Sequence, residues 1–318
     1  MTSHTTSLRV LAGAVLTLTL VGCSKSKKVT LSEDPSPSAS IEWPGIPKSS
    51  AEVEKVINRS GREPYSGASG TVLGRVTIKG DPPPSVDWTY ATGCGVSAVE
   101  TYGKAFRVNA EGGLADVLVS VTDYDAYVPP SSAVVPVKAS GCTFGRKTIV
   151  ATYGQRIEVL NTDATGSYTP TLDGATYHAI MLAMPNGSPV KLYPNRPGKF
   201  VLRDMQGRDF MQADVFVLAY STTDVTNTDG RFTIKNVPIG KVKVHAYLRD
   251  LDKVVDKEID VVEGDNTVDF EMTFDAKTDK VIPRPPSAWE RGTDPNRPAR
   301  KPGEFGGPPP PEDSSVPR

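Results

Sequence analysis

Residues 229–248 read DGRFTIKNVPIGKVKVHAYL, and within them 231–235 (RFTIK) and 241–248 (KVKVHAYL) alternate apolar with polar side chains. Alternation with a period of two places every second side chain on one face, as in a strand that is buried on one side only. The residues between the two runs include proline, which fixes φ, and glycine, which tolerates positive φ. The stretch therefore predicts two half-buried strands joined by a turn.

Short β-rich runs recur along the chain on both sides of this stretch. Residues 71–79 (TVLGRVTIK) alternate in the same way, and 214–220 (DVFVLAY) form the most apolar run. Further runs lie at 104–109, 114–122, 134–138, 147–151, 155–161, 175–184, 199–203, 258–262 and 267–274. Because the runs are short and separated by turn signals, they predict antiparallel sheets packed as sandwiches, and hence an all-β protein.

The two ends of the chain differ in composition from this middle part. Residues 23–68 contain few apolar side chains and predict a flexible tether, in which only 50–59 (SAEVEKVINR) has the apolar spacing of a short helix. Residues 275–318 are rich in proline and glycine, which disfavour helices and strands. They predict a disordered tail with short polyproline II stretches.

An apolar run in residues 8–23 (LRVLAGAVLTLTLVGC) follows Arg9 and ends at Cys23. It is too short to span a membrane as a helix and has the length of a signal-peptide core. The residues LVG before Cys23 resemble a bacterial lipobox, in which a signal peptidase cleaves before a cysteine that carries diacylglycerol. The alternative is an ordinary secretory signal with an incidental cysteine.

The lipobox resemblance implies an acylated (palmitate-bearing) Cys23 that holds the protein on a membrane of the cell envelope. Several acyl chains together give nearly irreversible attachment. Ser24, rather than an acidic residue, follows the cysteine. This favours the outer membrane over the inner membrane.

Charge and cysteine content restrict the remaining functions. The 36 basic and 37 acidic side chains give a net charge of -1, which argues against nucleic acid as a partner. With Cys23 lipidated, Cys94 and Cys142 remain as an even pair in an exported protein, which predicts a disulfide. A pair of metal-binding thiolates is the alternative.

Two stretches resemble known families. Residues 229–248, together with 70–79, are similar to the carboxypeptidase regulatory-like domain, a small transthyretin-like sandwich without a catalytic group. Residues 94–248 resemble plastocyanin-like proteins of the methylamine-utilisation-like type, through GLADV at 113–117, GCTF at 141–144 and GQRIEVLNTD at 154–163. These proteins have a cupredoxin fold, and the resemblance implies the same here.

The resemblances divide the chain into five parts. They are a lipoprotein signal peptide at 1–22, a lipidated tether at 23–68, a cupredoxin-like antiparallel β-sandwich at 69–221, a small transthyretin-like sandwich at 222–274 and a Pro-rich disordered tail at 275–318.

The copper ligands of the cupredoxin family do not match this sequence. Aligned on the family pattern, the positions of those ligands hold Ser167, Met205, Arg208 and Met211, so both histidines and the cysteine are replaced. A guanidinium keeps its protons and cannot ligate a metal cation. The sequence therefore predicts degenerate copper positions and no cofactor.

Weaker metal sites remain as alternatives. His178 and His245 each lie in an alternating run, where a histidine with a structural role is the simpler interpretation. A methionine-rich Cu(I) site is the other option, and its thioethers would come from Met181, Met184, Met205 and Met211.

Other constellations do not indicate catalysis. Asp224, Asn227 and Asp229 have oxygen ligands but lack the spacing of an EF-hand, so a plain turn is the better interpretation. Asp250 and Asp252 are interpreted as solvated loop carboxylates. The sequence contains neither G-x-S-x-G nor H-E-x-x-H, and we expect no enzymatic activity.

The expected function is that of a non-catalytic envelope lipoprotein, a structural or protein-binding component of a cell-surface assembly. Periplasmic copper binding or electron transfer is one alternative. Carbohydrate or peptidoglycan binding is another, in which Trp88 and Tyr90 would stack on sugar rings. Filling the core is the favoured interpretation of these two aromatic residues.

Overall fold

The computed structural model describes residues 48–175 and 181–284, which contain fifteen strands and two short α-helices. The predicted all-β fold is confirmed. The signal peptide, Cys23, His178 and residues 285–318 lie outside the described residues. No helix of the described part is long and apolar enough to cross a membrane.

Eight strands from the two ends of the described chain form one sandwich, called the terminal sandwich below. They are β1 (Ser69–Gly80), β2 (Leu118–Thr122), β10 (Thr223–Val225), β11 (Arg231–Pro238), β12 (Gly240–Leu248), β13 (Lys253–Val261), β14 (Gly264–Thr267) and β15 (Phe270–Phe274). One sheet has the order β11-β1-β14, with β15 on the second half of β1, and the other has the order β10-β2-β12-β13.

The alternating runs at 231–235 and 241–248 form β11 and β12, which lie in opposite sheets. The chain passes from one sheet to the other at Ile239 and Gly240, where Gly240 has a φ of 113°. Their alternating apolar side chains meet in one core, for example Ile234 with Val244. The turn is therefore a corner between sheets rather than a hairpin.

The seven strands between β2 and β10 form a second sandwich, called the central sandwich. They are β3 (Val134–Ala139), β4 (Thr148–Thr152), β5 (Arg156–Asn161), β6 (Pro170–Asp173), β7 (Val190–Leu192), β8 (Gly198–Asp204) and β9 (Gln212–Leu218). Its sheets are β3-β5-β7 and β4-β9-β8-β6. The β3–β5 and β4–β9 pairs are parallel, since the chain crosses to the other sheet before each partner strand is reached.

Strand pairing divides the chain differently from the predicted boundary between 221 and 222. The first strand, β1, pairs with β11, β14 and β15, while β2 pairs with β10 and β12. The central sandwich is therefore inserted into the terminal one. Residues 70–79 and 229–248 therefore lie in the same sandwich. Alternation shows which face of a strand is buried, but not which strand becomes its neighbour.

Two helices accompany the sandwiches. The predicted helix forms as α1 (Ser50–Ile57), where Ser49 and Glu52 make a reciprocal capping box and the apolar face packs on the central core. A second helix, α2 (Val96–Tyr102), was not predicted. With only seven residues it is too short to show a clear helical period.

The C-terminal segment also differs from its prediction. Residues 275–284, assigned by the sequence to a disordered tail, are described and lie against the terminal sandwich. The Nζ of Lys253 donates to Asp279 at 2.6 Å, and the amide of Ile282 donates to the carbonyl of Asp250 at 2.8 Å. These contacts are made to residues far away in the sequence, which composition alone does not reveal.

Candidate functional site

The degenerate copper positions come together at one end of the central sandwich. Nη1 of Arg208 donates to the carbonyl of Ser167 at 3.3 Å, and the amide of Met211 donates to the carbonyl of Arg208 at 2.8 Å. The amide of Met205 donates to the carbonyl of Thr169 at 3.0 Å. The four positions therefore form one local cluster.

A cation of the protein itself occupies the centre of this cluster. The guanidinium of Arg208 pairs with the carboxylate of Asp204 and lies over the ring of Tyr168, 4.9 Å from its centroid. The side chain of Arg208 is 19% exposed and that of Asp204 is fully buried. The cluster therefore presents an ion pair and a cation–π contact at the positions that the sequence analysis compared with copper ligands.

The methionines of the Cu(I) alternative do not share one environment. Met211 is completely buried and Met181 packs on the central core, whereas Met184 and Met205 are each about half exposed. Among the described residues, no group of three or more His, Cys, Asp or Glu side chains is placed to hold a metal ion.

A hydrogen-bond network around Asp163 lies beside this cluster. Its carboxylate accepts from the hydroxyl groups of Tyr168 and Ser140 and from the amide of Gly141. Burial works to raise the pKa of Asp163, but these hydrogen bonds outweigh it and hold the pKa below its ordinary value. Burial and the bond to Asp163 raise the pKa of Tyr168 to about 12. The carboxylate is therefore a fixed acceptor that holds the turn at Ser140.

The predicted disulfide is present and fastens α2 to that turn. Cys94, just before the helix, is bonded to Cys142, with the two Cα atoms 5.3 Å apart. At the other end of the helix, the hydroxyl of Tyr102 accepts from the amide of Phe144 at 3.2 Å. The helix is thus attached at both ends to the connection that follows β3.

The two candidate sugar-stacking residues lie against the central core. Trp88 and Tyr90 are both half-buried and pack on it. The ring of Tyr90 lies 4.7 Å from that of Phe210, centroid to centroid. The core-filling interpretation describes these contacts better than a free stacking platform.

His245 has a partner on each ring nitrogen. Nε2 lies 2.7 Å from Oγ1 of Thr122, and Nδ1 lies 2.7 Å from Oδ1 of Asp256. The Nζ of Lys243 is 3.1 Å from the other oxygen of Asp256. The imidazole therefore links three neighbouring strands of the terminal sandwich, as a histidine with a structural role does.

The candidate calcium loop is a turn held by its own side chains. Oδ1 of Asn227 accepts from the amides of Asp229 and Arg231, each at 2.9 Å. Oδ2 of Asp224 accepts from the amide of Thr233 at 2.8 Å. These oxygens are engaged with the backbone, which is the turn interpretation.

Four charged residues whose side chains are at most 9% exposed lie where the two sandwiches meet, and we call them the Asp214 cluster. Its members are Asp214 on β9, Arg249 and Asp250 in the 3-10 turn after β12, and Arg284. Oδ2 of Asp214 is 3.1 Å from Nη2 of Arg284 and 3.3 Å from Nε of Arg249. Nη1 of Arg284 also donates to Asp250 at 2.8 Å. The cluster joins the central sandwich, the terminal sandwich and the C-terminal segment.

Further buried charges extend the Asp214 cluster. The Nζ of Lys147 donates to two backbone carbonyls, both at 2.7 Å, and its amide donates to Asp116 at 2.8 Å. Asp116 also accepts two hydrogen bonds from Arg107. Burial and the charge of Arg284 lower the pKa of Lys147 to about 8. Charged groups of both signs therefore fill this junction.

Sequence reasoning missed the Asp214 cluster. It assigned Asp214 to a buried strand, interpreted Asp250 as a solvated loop carboxylate and placed Arg284 in the tail, yet all three are buried. The sequence signals that exist are an aspartate beginning an apolar run and an arginine among prolines. Neither identifies a partner, because the partners are distant in the sequence.

Comparisons with known proteins do not identify a family. No family model matches the chain, and no curated protein matches it. Among solved structures, a reduced state of an amicyanin mutant aligns with 31% of this chain and 98% of its own, at 13% identity and a TM-score of 0.24. This likeness is too weak to assign a function.

Proposed function

We propose that this protein is a non-catalytic, lipid-anchored component of a bacterial cell envelope that presents a surface to a protein partner. On this proposal, acyl chains on Cys23 attach the mature chain to the outer membrane, and the residues before α1 form the tether. The carboxypeptidase regulatory-like relationship of the terminal sandwich belongs to the same proposal. It adds a second β scaffold and no catalytic group.

The observation that carries this proposal is the Arg208–Asp204 ion pair. It stands among the positions that hold copper ligands in the family, and a protonated guanidinium repels a metal cation. Ser167 contributes its backbone carbonyl to Arg208 rather than a ligand to a metal. On this proposal, this end of the sandwich takes part in protein contact rather than in electron transfer.

The junction between the sandwiches supports a scaffold. Arg249 and Arg284 are buried and paired with aspartates from both sandwiches, and Arg249 also donates to the carbonyls of Ile282 and Pro283 at 2.7 and 3.0 Å. Contacts of this kind favour one arrangement of the two sandwiches. A preorganised surface loses less conformational entropy when it binds.

An exposed set of apolar residues, called the apolar strip, flanks the Arg208 cluster. Leu182, Met184 and Met205 are 51%, 52% and 48% exposed. All three lie next to the segment that contains Tyr168 and Thr169. Tyr168 forms a β-bridge with Ala183, which lies between Leu182 and Met184, and the carbonyl of Thr169 accepts from the amide of Met205. Neighbouring exposed apolar side chains are typical of protein-contact surfaces, and methionine is enriched there.

Metabolic labelling with palmitate tests the anchor. We expect label in the wild-type chain and none in Cys23→Ser, which should then leave the membrane fraction. An unlabelled wild-type chain that is recovered free of the membrane would refute the anchored part of the proposal.

Copper titration tests the prediction that the protein binds no copper. The full mature protein should bind neither Cu(I) nor Cu(II) with sub-micromolar affinity, as followed by competition with a chromophoric chelator. Tight binding, or a coloured and redox-active preparation, would instead support the electron-transfer alternative.

Crosslinking in native membranes tests the surface. A variant with Leu182→Ser and Met205→Ser should lose a crosslinked product that the wild type forms. Val262→Ser, which changes an exposed apolar residue just after β13, is the matched control and should keep that product. Equal yields in the two variants would rule out the apolar strip as the contact.

A further inference from the structure

A cleft of about 660 Å3 opens at the junction of the two sandwiches, away from the apolar strip residues. One side is lined by α2 and by the residues around the end of β3, and the other by Arg107, Asn109, Ala115 and Thr228. Small-ligand sites of roughly 300 to 1,000 Å3 are common at junctions between domains. The cleft has the volume of such a site.

Two available charges of opposite sign line the cleft. Glu100 projects from α2 and Lys138 from β3, and both are exposed. In the described part of the chain neither of them makes an ion pair, whereas Arg107 in the same cleft is neutralised by Asp116. The cleft therefore offers one anion and one cation to a ligand.

Hydroxyl groups supply the remaining polar character of the cleft. Ser97, Thr162 and Thr228 line it, and their side chains make no hydrogen bond with other described residues. A hydroxyl both donates and accepts, which suits the amide groups of a peptide. The lining contains no aromatic ring, the feature on which sugar recognition commonly depends.

The walls of the cleft are held in place by contacts already described. The Cys94–Cys142 disulfide fixes α2 to the connection after β3, and Ser140 of that wall donates to Asp163 at 2.8 Å. On the other side, Arg107 is held by Asp116 and by the carbonyl of Gly145. The backbone positions of Glu100 and Lys138 are thus fixed before a ligand arrives, which favours binding.

We propose that this cleft binds an amino acid or short peptide with free termini, with the ammonium group on Glu100 and the carboxylate on Lys138. The unengaged hydroxyls bond to the polar groups between the termini. This site goes beyond the proposed scaffold function and depends on neither the lipid anchor nor the apolar strip.

Calorimetric titration of the full mature protein with trialanine tests the site. Trialanine should bind, and blocking either terminus, in acetyl-trialanine or trialanine amide, should weaken binding about tenfold or more, since each block removes one charge-assisted bond. Absence of binding at millimolar trialanine would overturn the proposal. So would equal affinity for all three peptides.

Variants of the two charged residues identify which terminus each one binds. Lys138→Met should weaken trialanine binding but leave trialanine amide unchanged, and Glu100→Gln should weaken trialanine binding but leave acetyl-trialanine unchanged. Lys191→Met, at an exposed lysine on β7 outside the cleft, is the control and should bind as the wild type does. Equal losses for all three variants would overturn the assignment.

A sugar probe separates this site from the carbohydrate alternative. Chitotriose should not compete with trialanine. Competition that Glu100→Gln and Lys138→Met leave intact would show a glycan site instead and overturn the proposal. Both charged side chains are exposed and make no contacts that hold the fold, so near-ultraviolet circular dichroism should be unchanged in both variants.

Discussion

The Arg208–Asp204 pair and the Asp214 cluster both consist of arginine and aspartate side chains, but the two groups form in different ways. Arg208 and Asp204 are four residues apart, at the end of one sandwich, and Arg208 is partly exposed. Asp214, Arg249 and Arg284 come from a strand, a turn and the C-terminal segment, and all three are buried between two sandwiches. The first is local and the second is assembled only by the complete fold.

This difference predicts how much each cluster contributes to stability. A buried charge that loses its partner is strongly destabilising, because water cannot replace the lost contact. The carboxylate of Asp204 also accepts from the amide of Thr169 at 2.6 Å, so it keeps a hydrogen-bond donor when Arg208 is removed. Substitutions in the Asp214 cluster should therefore have larger effects than those at Arg208.

The largest effect is expected for Asp214→Ala. This change leaves the guanidinium groups of Arg249 and Arg284 without their shared carboxylate, and we expect the free energy of unfolding to fall by about 3 to 5 kcal/mol. Urea unfolding measures it, with Asp265→Ala on exposed β14 as the control. A loss below about 1 kcal/mol would mean that water reaches the cluster.

A smaller effect is expected for Arg284→Ala, because Asp214 and Asp250 keep Arg249 as a partner. We expect a loss of about 2 to 3 kcal/mol, the range for a hydrogen bond to a charged group. Hydrogen exchange should also show faster exchange at the amide of Ile282, which donates to Asp250. Unchanged protection there would show that Arg284 does not hold the C-terminal segment.

Arg208→Ala should have a milder effect, with a loss of about 1 to 2 kcal/mol, since buried Asp204 keeps its hydrogen bond from the amide of Thr169. The same variant also tests whether Arg208 alone prevents copper binding. It removes the internal cation but supplies no imidazole or thiolate, so copper affinity should stay as low as in the wild type. A large gain in copper affinity would mean that Arg208 alone excludes the metal.

The smallest effect is a dependence of stability on acid pH, to which Asp163 beside Arg208 and Asp116 beside the Asp214 cluster both contribute. Burial works to raise the pKa of Asp116, but the charge and hydrogen bonds of Arg107 lower it below its ordinary value, as the hydroxyl bonds do for Asp163. A carboxyl whose pKa is lowered in the folded state binds fewer protons in the folded protein than in the unfolded protein. It therefore stabilises the fold at pH values above its unfolded-state pKa, and this stabilisation is lost as the pH falls through its folded-state pKa.

Stability should therefore decrease below about pH 4, where unfolded carboxyls begin to bind protons. Asp116→Asn and Asp163→Asn should each flatten this decrease, as measured by urea unfolding at a series of acid pH values. An equally steep decrease in both variants would assign the acid sensitivity to other carboxylates.

Local features of the fold were predictable because neighbouring residues cause them. Alternation placed most strands, the capping residues and apolar spacing gave α1, and an even cysteine pair predicted the disulfide. The sequence did not predict several short elements. The seven residues of α2 and the three residues each of β7 and β10 are too short to show a period.

From the family resemblance, the sequence predicted degenerate copper positions, because a missing ligand is visible in the residue type itself. It did not show that Asp204 and Tyr168 would surround Arg208. It also gave no sign of the cleft between Glu100 and Lys138, whose walls come from separate segments. Sites of this kind depend on distances that only the folded chain defines.

By itself, then, the sequence determined most of the strands, their buried faces, one helix and a cysteine pair, since these follow from the period and chemistry of adjacent residues. Only the tertiary structure decided that β1 and β2 join the C-terminal strands and that Arg284 is buried beside Asp214. The physical reason is that strand pairing and buried ion pairs are chosen by the packing of the whole chain.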